Sequence, residues 1–598
     1  MQHLKRLIIV FTLGLFFILL SNWPMALAAA PQASNLFVVP YPAGLLPACT
    51  QSDPCRLQDA MNKAVKGDRL YLAAGTYTST LEAVLVVTKS VALYGGWNGA
   101  ASGPIMHNPV QFQSILDGQG ARRVVYIDGA ITPTLNGLFI TKGSGSMGGG
   151  IYAQNASPII RSCRVYSNSA LFAEGGGIYL VNGSAAQLIG NQIYSNTSST
   201  GGGFSCHDSP GFMLTSNQIY SNVALFGGGG GGALDNCPMS SLSDNTIRNN
   251  DAENYGGGLY IEDSPTTTLT HNQVHHNTAR QHSGGGIDLT TSPAASLIDN
   301  EVYSNTSMSG GGGLSLGNSA SAVMLNNRIY GNTAFQPFSS GGGINLSVSP
   351  TATVAHNQIY QNWAHSGGGL FLDYQMGGTV VADNQVYSNT ANSGGGIFLS
   401  GMSGVTLTGN LIRSNRVISY EGGGLFLAGV QNAILLNNAV LNNQLANSIG
   451  CGSGIKFYEA SANLWHTTVV NNTGGTGAAI CLDRSPSSAW LTNTIIANQA
   501  VGLWVSGGNT AALDGVLWSG NDLNFDGYGQ IDITQALTGS PAFAADGYHL
   551  TASSAALNAG AGTFVMTDID SDLRPIGLPD IGADEFALYL FLPAVLKQ

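Results

Sequence analysis

Gly175-Gly176-Gly177-Ile178-Tyr179-Leu180 opens a unit that closes with Asn191-Gln192-Ile193-Tyr194-Ser195-Asn196, and a new glycine triplet follows at Gly201. Such triplets end at Gly150, Gly177, Gly203, Gly232, Gly258, Gly286, Gly313, Gly343, Gly369, Gly396 and Gly424. Degenerate copies follow at Gly452-Ser453-Gly454 and Gly477-Ala478-Ala479. A period of about 27 residues sustained over so many copies marks a solenoid, in which each unit buries its apolar face on its neighbours. After each triplet comes an apolar-x-apolar strand, as in Leu370-Phe371-Leu372 and Ile397-Phe398-Leu399. A period of two turns the outer pair inward and the middle residue outward. A turn rich in Ser, Pro, Gly and Asn follows, then a second strand such as Gln187-Leu188-Ile189, then Asn-x-Ile/Val-x-x-Asn. Three short strands and three bends per unit predict an all-β chain, a single-stranded right-handed parallel β-helix. Dense glycine and the lack of a 3.6-residue period exclude helices over this stretch.

The two asparagines recur at matching offsets, for example Asn217 and Asn222, Asn272 and Asn277, Asn300 and Asn305, Asn327 and Asn332, Asn357 and Asn362. Coils about 4.8 Å apart let amides of successive turns bond in ladders. Buried corner backbone needs such partners, so asparagines and glycines alike read as structural. Ahead of the repeats, Asp53-Pro54 starts and Gly67 ends a short helix with Leu57, Ala60, Met61, Ala64 and Val65 on one stripe. That helix is expected to cap the N-terminal edge, which otherwise invites strand addition.

Glycine is 81 of 598 residues and charged residues only 9%, while 44% of the chain is apolar. That composition suits one elongated repeat object and not a disordered chain. The net charge is −12, and from Gly148 to Ala500 the only lysine is Lys456. This speaks against nucleic acid or an anionic membrane as partner, and no nucleic acid is expected. Lys5 and Arg6, the apolar run Leu7–Leu20 and Ala26-Leu27-Ala28 read as a secretory signal cleaved after Ala28. The competing reading is one uncleaved anchor helix, for which the run is short of the ~20 residues a span requires. No later segment is apolar and long enough to cross a membrane as a helix, so the mature chain is expected to have none. The expected divisions are a signal peptide 1–28, a cap and lead-in 29–80, the β-helix 81–530, a closing segment 531–586 and an apolar tail 587–598.

Seven cysteines in an exported chain suggest disulfides and one spare thiol. The pairs read from spacing are Cys49–Cys55, Cys206–Cys237 and Cys451–Cys481, with Cys163 left over.

The repeat, the N-terminal helix and the stretch Gly67–Tyr77 resemble the pectate-lyase-like superfamily of β-helices. The triplet followed by Ile/Leu, with Ile-Tyr-Ser-Asn, is similar to the GGA-I and F-x-x-N repeats of chlamydial polymorphic membrane proteins, with Ile or Val where those have Phe. The end resembles the closing segment of secreted proteins called choice-of-anchor Q. That likeness rests on Ser554–Gly560, Asp568-Ile569-Asp570-Ser571-Asp572-Leu573-Arg574-Pro575 and Asp580–Phe586, and it implies surface attachment. Leu588–Lys597 is then either a sorting tail or a last strand packed on the coil end.

Lyases of this superfamily need acidic Ca²⁺ ligands with an Arg or Lys base, and the related hydrolases need clustered aspartates. Asp208, Asp235, Glu262, Asp263 and Asp288 follow the triplets of four consecutive coils, with His207 beside them. Close acids suit Ca²⁺, and the histidine-rich coil after Gly258 offers imidazole and carboxylate that suit zinc, though no helix sets a chelating geometry there. The offsets of the acids vary, however, and solvated turn acids are the plainer reading. A second file, Asp244, His271, Asp299, His356 and Asp383, precedes the first asparagine and reads as exposed turn residues, as do His275, His276 and His282. Asp568-x-Asp570-x-Asp572 lacks the Gly and Glu of a calcium loop and reads as a turn salt-bridged to Arg574. The outward position of the last strand holds Tyr166, Tyr194, Tyr220, Arg248, His275, Tyr303, Tyr330, Tyr360, Tyr387 and Arg413, beside Gln192, Gln218, Gln273, Gln358 and Gln385. Such a file either stacks on itself for stability or offers Tyr194, Tyr220, Tyr303, Tyr330, Tyr360 and Tyr387 to a sugar polymer or protein. Phe371, Phe398 and Phe426 form a further apolar patch. The expected function is a secreted or cell-surface, non-catalytic adhesin or scaffold that binds an extracellular polysaccharide or a cell-surface protein. The alternative is a polysaccharide lyase or glycoside hydrolase working through Asp208–Asp288.

Overall fold

A computed structural model describes residues 33–42, 47–183, 185–374, 377–574 and 578–586. The proposed signal peptide and the apolar tail lie outside the described residues. The chain is a right-handed parallel β-solenoid of about 16 turns. The 13 strands that follow the triplets and their degenerate copies, with two strands before them and two after, stack into one sheet of 17 among the described residues, from Ala83–Val87 to Leu523–Gly527. The coil repeat sets the register without a slip: Ile178, Tyr179, Leu180 and Val181 lie opposite Phe204, Ser205, Cys206 and His207. The second and last strands of each unit, such as Gln187–Ile189 and Gln192–Tyr194, belong to one sheet bent at the first asparagine. A fourth strand, as short as two residues, lies between the second asparagine and the next triplet and builds a third sheet. It carries no apolar alternation long enough to be read from sequence. Ile178, Leu180, Leu188 and Ile193 all point inward and are buried, so each coil adds one layer to a continuous core.

The corner chemistry follows from close approach. Gly175 has φ +65, a left-handed conformation that favours glycine, and a Cβ on Gly177 would lie 2.4 Å from the Gly203 carbonyl and 3.0 Å from the Asn196 side chain. In the long run Gly227–Gly232, positive φ falls on Gly229, so the corner triplet is 229–231 and not the one ending at Gly232. Gly232 is instead the first strand residue, opposite Phe204, whose ring would stand 2.0 Å from an added Cβ.

Both asparagine ladders form. Asn191 Nδ2 donates to Asn217 Oδ1 (2.9 Å) and to the Ile160 carbonyl (2.8 Å), and its backbone N–H donates to the same Asn217 oxygen (2.9 Å). The pattern repeats to Asn438 in the first ladder and to Asn472 in the second. The residue ahead of each asparagine is left-handed, as at Ser195 (φ 53). That conformation costs an L-residue about 1–2 kcal/mol, which the ladder bonds offset. Cys163 stands where the first ladder begins: its N–H donates to Asn191 Oδ1 at 2.9 Å.

At the N-terminal end, a strand Asn35–Val38 and the helix Leu57–Lys63 cover the coil. Leu57, Ala60, Met61 and Ala64 are buried as expected, but Val65 lies past the last turn and is exposed. The disulfides Cys49–Cys55 and Cys451–Cys481 are present. Cys206 and Cys237 are free, which corrects the third expected pair. Cys206 is in register with Leu234, so Cys237 sits three residues further on, in the turn. The Cys206 thiol lies against the Ser209 carbonyl and the Cys237 thiol against the Asp235 carbonyl, and the two side chains also contact each other without a bridge.

The coil runs through Gln530–Thr538, and from Gly539 the chain turns back along the outside of the bent sheet. There the outward files change from polar to aliphatic: Ala439, Leu441, Val470, Ile495, Ala497 and Leu517 are buried under Leu550, Ala556 and Ile581. Arg574 and Glu585 form a buried ion pair at 2.9 Å, and Arg574 also donates to the Gly582 and Ala583 carbonyls. The partner of Arg574 is thus Glu585 and not an aspartate of its own turn. Among the described residues no helix is long and apolar enough to cross a membrane.

Candidate functional site

The sheet that follows the triplets carries an outward file that changes character along the rod. Tyr126, Tyr152 and Tyr179 stack at 5.6 Å, and Phe371 lies 5.2 Å from Phe398 further along. Between them the file runs Ser205, Ala233, Tyr260, Asp288, Ser315 and Asn345. Small and polar side chains in place of rings leave two adjoining depressions of about 270 and 460 Å³, which share Tyr255, Tyr260 and Glu262. Gly228 lets the bordering loop close over Tyr260, since a Cβ there would stand 2.7 Å from the ring.

The five acids of the sequence reading are divided among three files. His207, Asp235 and Glu262 end successive strands in register. His207 Nδ1 lies 2.9 Å from Asp235, and Nε2 lies 3.2 Å from Asp208. Asp208 and Asp263 occupy left-handed turn positions (φ 47 and 46) two coils apart. Asn236 lies between them and donates to Asp208 at 2.6 Å. Asp288 belongs to the outward file beside Tyr260, is 4% exposed and accepts a 2.5 Å bond from the Ser283 hydroxyl. Burial pushes its carboxyl up to about 6, against the pull of the Ser283 and Ser315 hydroxyls. Glu262 accepts from the Tyr260 hydroxyl at 2.7 Å, and Glu174 from Ser205 at 2.8 Å. Asp235, Glu262 and Asp288 thus line the depressions, while Asp208 and Asp263 are exposed turn residues that line neither. No Lys or Arg lines either depression.

The tyrosine file is a self-stack. Tyr194–Tyr220, Tyr303–Tyr330, Tyr330–Tyr360 and Tyr360–Tyr387 have centroids 4.8–5.0 Å apart and planes within 5°. Arg248 and Arg413 cap the two runs over Tyr220 and Tyr387. Ring faces are spent on one another, leaving edges outward, and the Tyr330 hydroxyl donates to Glu301 while that of Tyr360 accepts from Arg328. Asp244, His271, Asp299, His356 and Asp383 are exposed left-handed turn residues.

A family model described as "Right handed beta helix region" matches residues 125–306 and 365–521, more than half of the chain. The chain belongs to the right-handed β-helix family. A second model, "Periplasmic copper-binding protein (NosD)", matches residues 234–423 of this β-helix protein. No curated protein matches it. Among solved structures it is similar to the periplasmic alginate epimerase AlgG, with 11% identity over 64% of this chain and 78% of that chain and a TM-score of 0.27. The Azotobacter vinelandii mannuronan C-5 epimerase AlgE6 A-module matches with 13% identity over 81% and 93% at 0.27. Pectate lyase Pel9A matches with 9% identity over 94% and 98% at 0.19. At these values no residue role or substrate transfers to this β-helix.

Elsewhere on the same face, Lys456 is fully buried, 3.0 Å from Glu421, 3.2 Å from Asp483 and 3.0 Å from Cys451 Sγ. Glu421, Cys451 and Asp483 lie close enough together for a metal. The thiolate is consumed by the disulfide and the Lys456 ammonium occupies the centre, so this group is a buried ion pair. The sequence reading missed Tyr255, Tyr260, Ser283 and Ser315. For Ser315 a signal was present in the alternation, where the outward residue after each triplet switches from rings to mostly small or polar side chains at Ser205 and back at Phe371; Tyr255 and Ser283 lie in loops ahead of the triplets, which carry no such pattern.

Proposed function

We propose that the protein is an exported β-helix scaffold that binds a neutral polysaccharide, without cleaving it, in the depression around Tyr260. The observation that carries this reading is the break in the outward aromatic file. It leaves Tyr255 and Tyr260 rimming a groove floored by hydroxyls and carboxylates. Carboxylates and hydroxyls accept from sugar hydroxyls, and a tyrosine ring covers an apolar sugar face. With no Lys or Arg in the groove and a net charge of −12, a polyuronate is repelled there unless cations intervene. The same absence removes the base that lyase chemistry requires. Export is supported by the signal-like segment at Lys5–Ala28 and by the likeness of residues 540–586 to choice-of-anchor Q segments. The self-stacked tyrosine file, with Tyr303 and Tyr330, is a secondary contact face that presents edges only.

A glycan array on the mature protein tests this reading. Neutral glycans are expected to bind, Tyr260→Ala to abolish binding, and Tyr303→Ala to leave it intact. Binding unchanged in Tyr260→Ala, or confined to uronates, refutes it. A second reading, a glycoside hydrolase, is favoured by the buried Asp288 beside Glu262, since a carboxyl whose pKa is raised by burial suits a general acid. Release of reducing ends that disappears in Asp288→Asn would favour this reading over the first.

A further inference from the structure

The segment packed on the outside of the coil brings together side chains that the groove does not use. Three turns meet there. In the first, Asp546 accepts from the His549 N–H at 3.2 Å and pairs with His549 Nδ1 at 2.5 Å. In the second, Asp568 spends its carboxylate on the backbone, accepting from Asp570, Asp572 and Glu585 N–H groups at 2.8–2.9 Å. That folds the loop so that Asp570 faces His549 Nε2, with which it pairs. In the third, Asp584 is 6% exposed. Its Oδ2 accepts from the Leu550 N–H at 2.6 Å, and no donor among the described residues reaches its other oxygen. One ligand atom each from His549, Asp570 and Asp584 lies within 4.8 Å of the others.

We propose that His549, Asp570 and Asp584 bind a divalent first-row transition-metal ion of the Zn²⁺ type, with Asp546 orienting the imidazole. One nitrogen and two carboxylates form a borderline donor set that suits such an ion. A carboxylate on Nδ1 fixes the tautomer and aims Nε2 inward, the usual support for a metal-bound histidine. Metal uptake exchanges the Nε2 proton for the ion. Three protein ligands leave further positions to water. The ion joins turns that are 14 to 35 residues apart in the chain. Its role is then to staple the lateral segment to itself above the aliphatic face of the last coils.

The test uses the mature full chain, stripped with chelator and dialysed against micromolar zinc, with bound metal measured per chain. One zinc per chain is expected, together with slower exchange of the Leu550 and Glu585 amides. His549→Ala and Asp570→Asn, both at partly exposed positions, are expected to weaken binding at least about a hundredfold. His356→Ala, which removes a surface histidine paired with Asp383, is expected to bind as the parent does. No bound zinc, or equal binding by His549→Ala and Asp570→Asn, overturns the proposal. So does loss of binding in His356→Ala alone, which would place the ion on a surface turn.

Discussion

Replacing Asn305 by alanine tests the claim that the ladders hold the corners together. Asn305 Nδ2 donates to the Val274 carbonyl at 2.9 Å and to Asn332 Oδ1 at 3.1 Å. Its Oδ1 accepts from the backbone N–H and the side chain of Asn277, both at 3.0 Å. Alanine removes all four bonds. The Asn277 side chain keeps its bond to the Ile247 carbonyl, and Asn332 Oδ1 keeps the backbone N–H of residue 305. The Asn277 backbone N–H is left buried without a partner. An orphaned buried group costs about 1–3 kcal/mol and each of the three further bonds about 1 kcal/mol, so the total is at least about 4 kcal/mol. In a solenoid this loss is felt first by the two adjoining coils. Hydrogen exchange of amides in the coils around residues 272–332 is the suitable assay. Protection there is expected to fall by about a thousandfold, since 1.4 kcal/mol is tenfold. Gln273→Ala, an exposed neighbour, is expected to change stability by less than about 0.5 kcal/mol. Equal protection in Asn305→Ala and Gln273→Ala would refute the reasoning and mean that strand pairing alone fixes the corners.

Three further outcomes follow from the same geometry. The Asp288 carboxyl titrates near 6 when folded, raised from 3.8, so it burdens the folded state above about pH 6 and not below about pH 4. Asp288→Asn should gain about 3 kcal/mol on the wild type between those two pH values, seen as denaturant midpoints that diverge with rising pH; midpoints that stay parallel would contradict this burial. Thiol titration should find no accessible thiol in the native protein and three after denaturation, because Cys163, Cys206 and Cys237 are buried and free, whereas only one would appear if Cys206 and Cys237 were bridged. Arg574→Ala leaves Glu585 buried and unpaired, at a cost of about 3–5 kcal/mol. Protease is then expected to cut within residues 540–586 while the coil stays intact, and an unchanged digest would show that the pair does not hold the segment.

The amino-acid sequence by itself determined the stacked coil, the inward and outward alternation, the ladders at positions such as Asn191 and Asn196, and the pairing of Cys49 with Cys55. These are legible because they repeat or are local: one residue per turn, about 4.8 Å apart, meets its own equivalent. Stacking of the tyrosines was legible for the same reason, as one of two open readings. Only the tertiary structure decided what depends on contacts without a period. The Gly227–Gly232 run hid which glycine turns the corner until Phe204 was seen to fill the place of a Gly232 Cβ. Cys206 and Cys237, one repeat apart, stand as two free thiols, with Cys237 three residues past the strand partner of Cys206. The acids from Asp208 to Asp288 divided among strand end, turn and outward file, because a shift of one residue along a strand moves a side chain to another face. The closing segment came to lie along the flank, where His549, Asp570 and Asp584 meet and Arg574 finds Glu585. No spacing rule encodes that meeting, since it is fixed by the aliphatic patch from Ala439 to Leu517 that the segment has to cover.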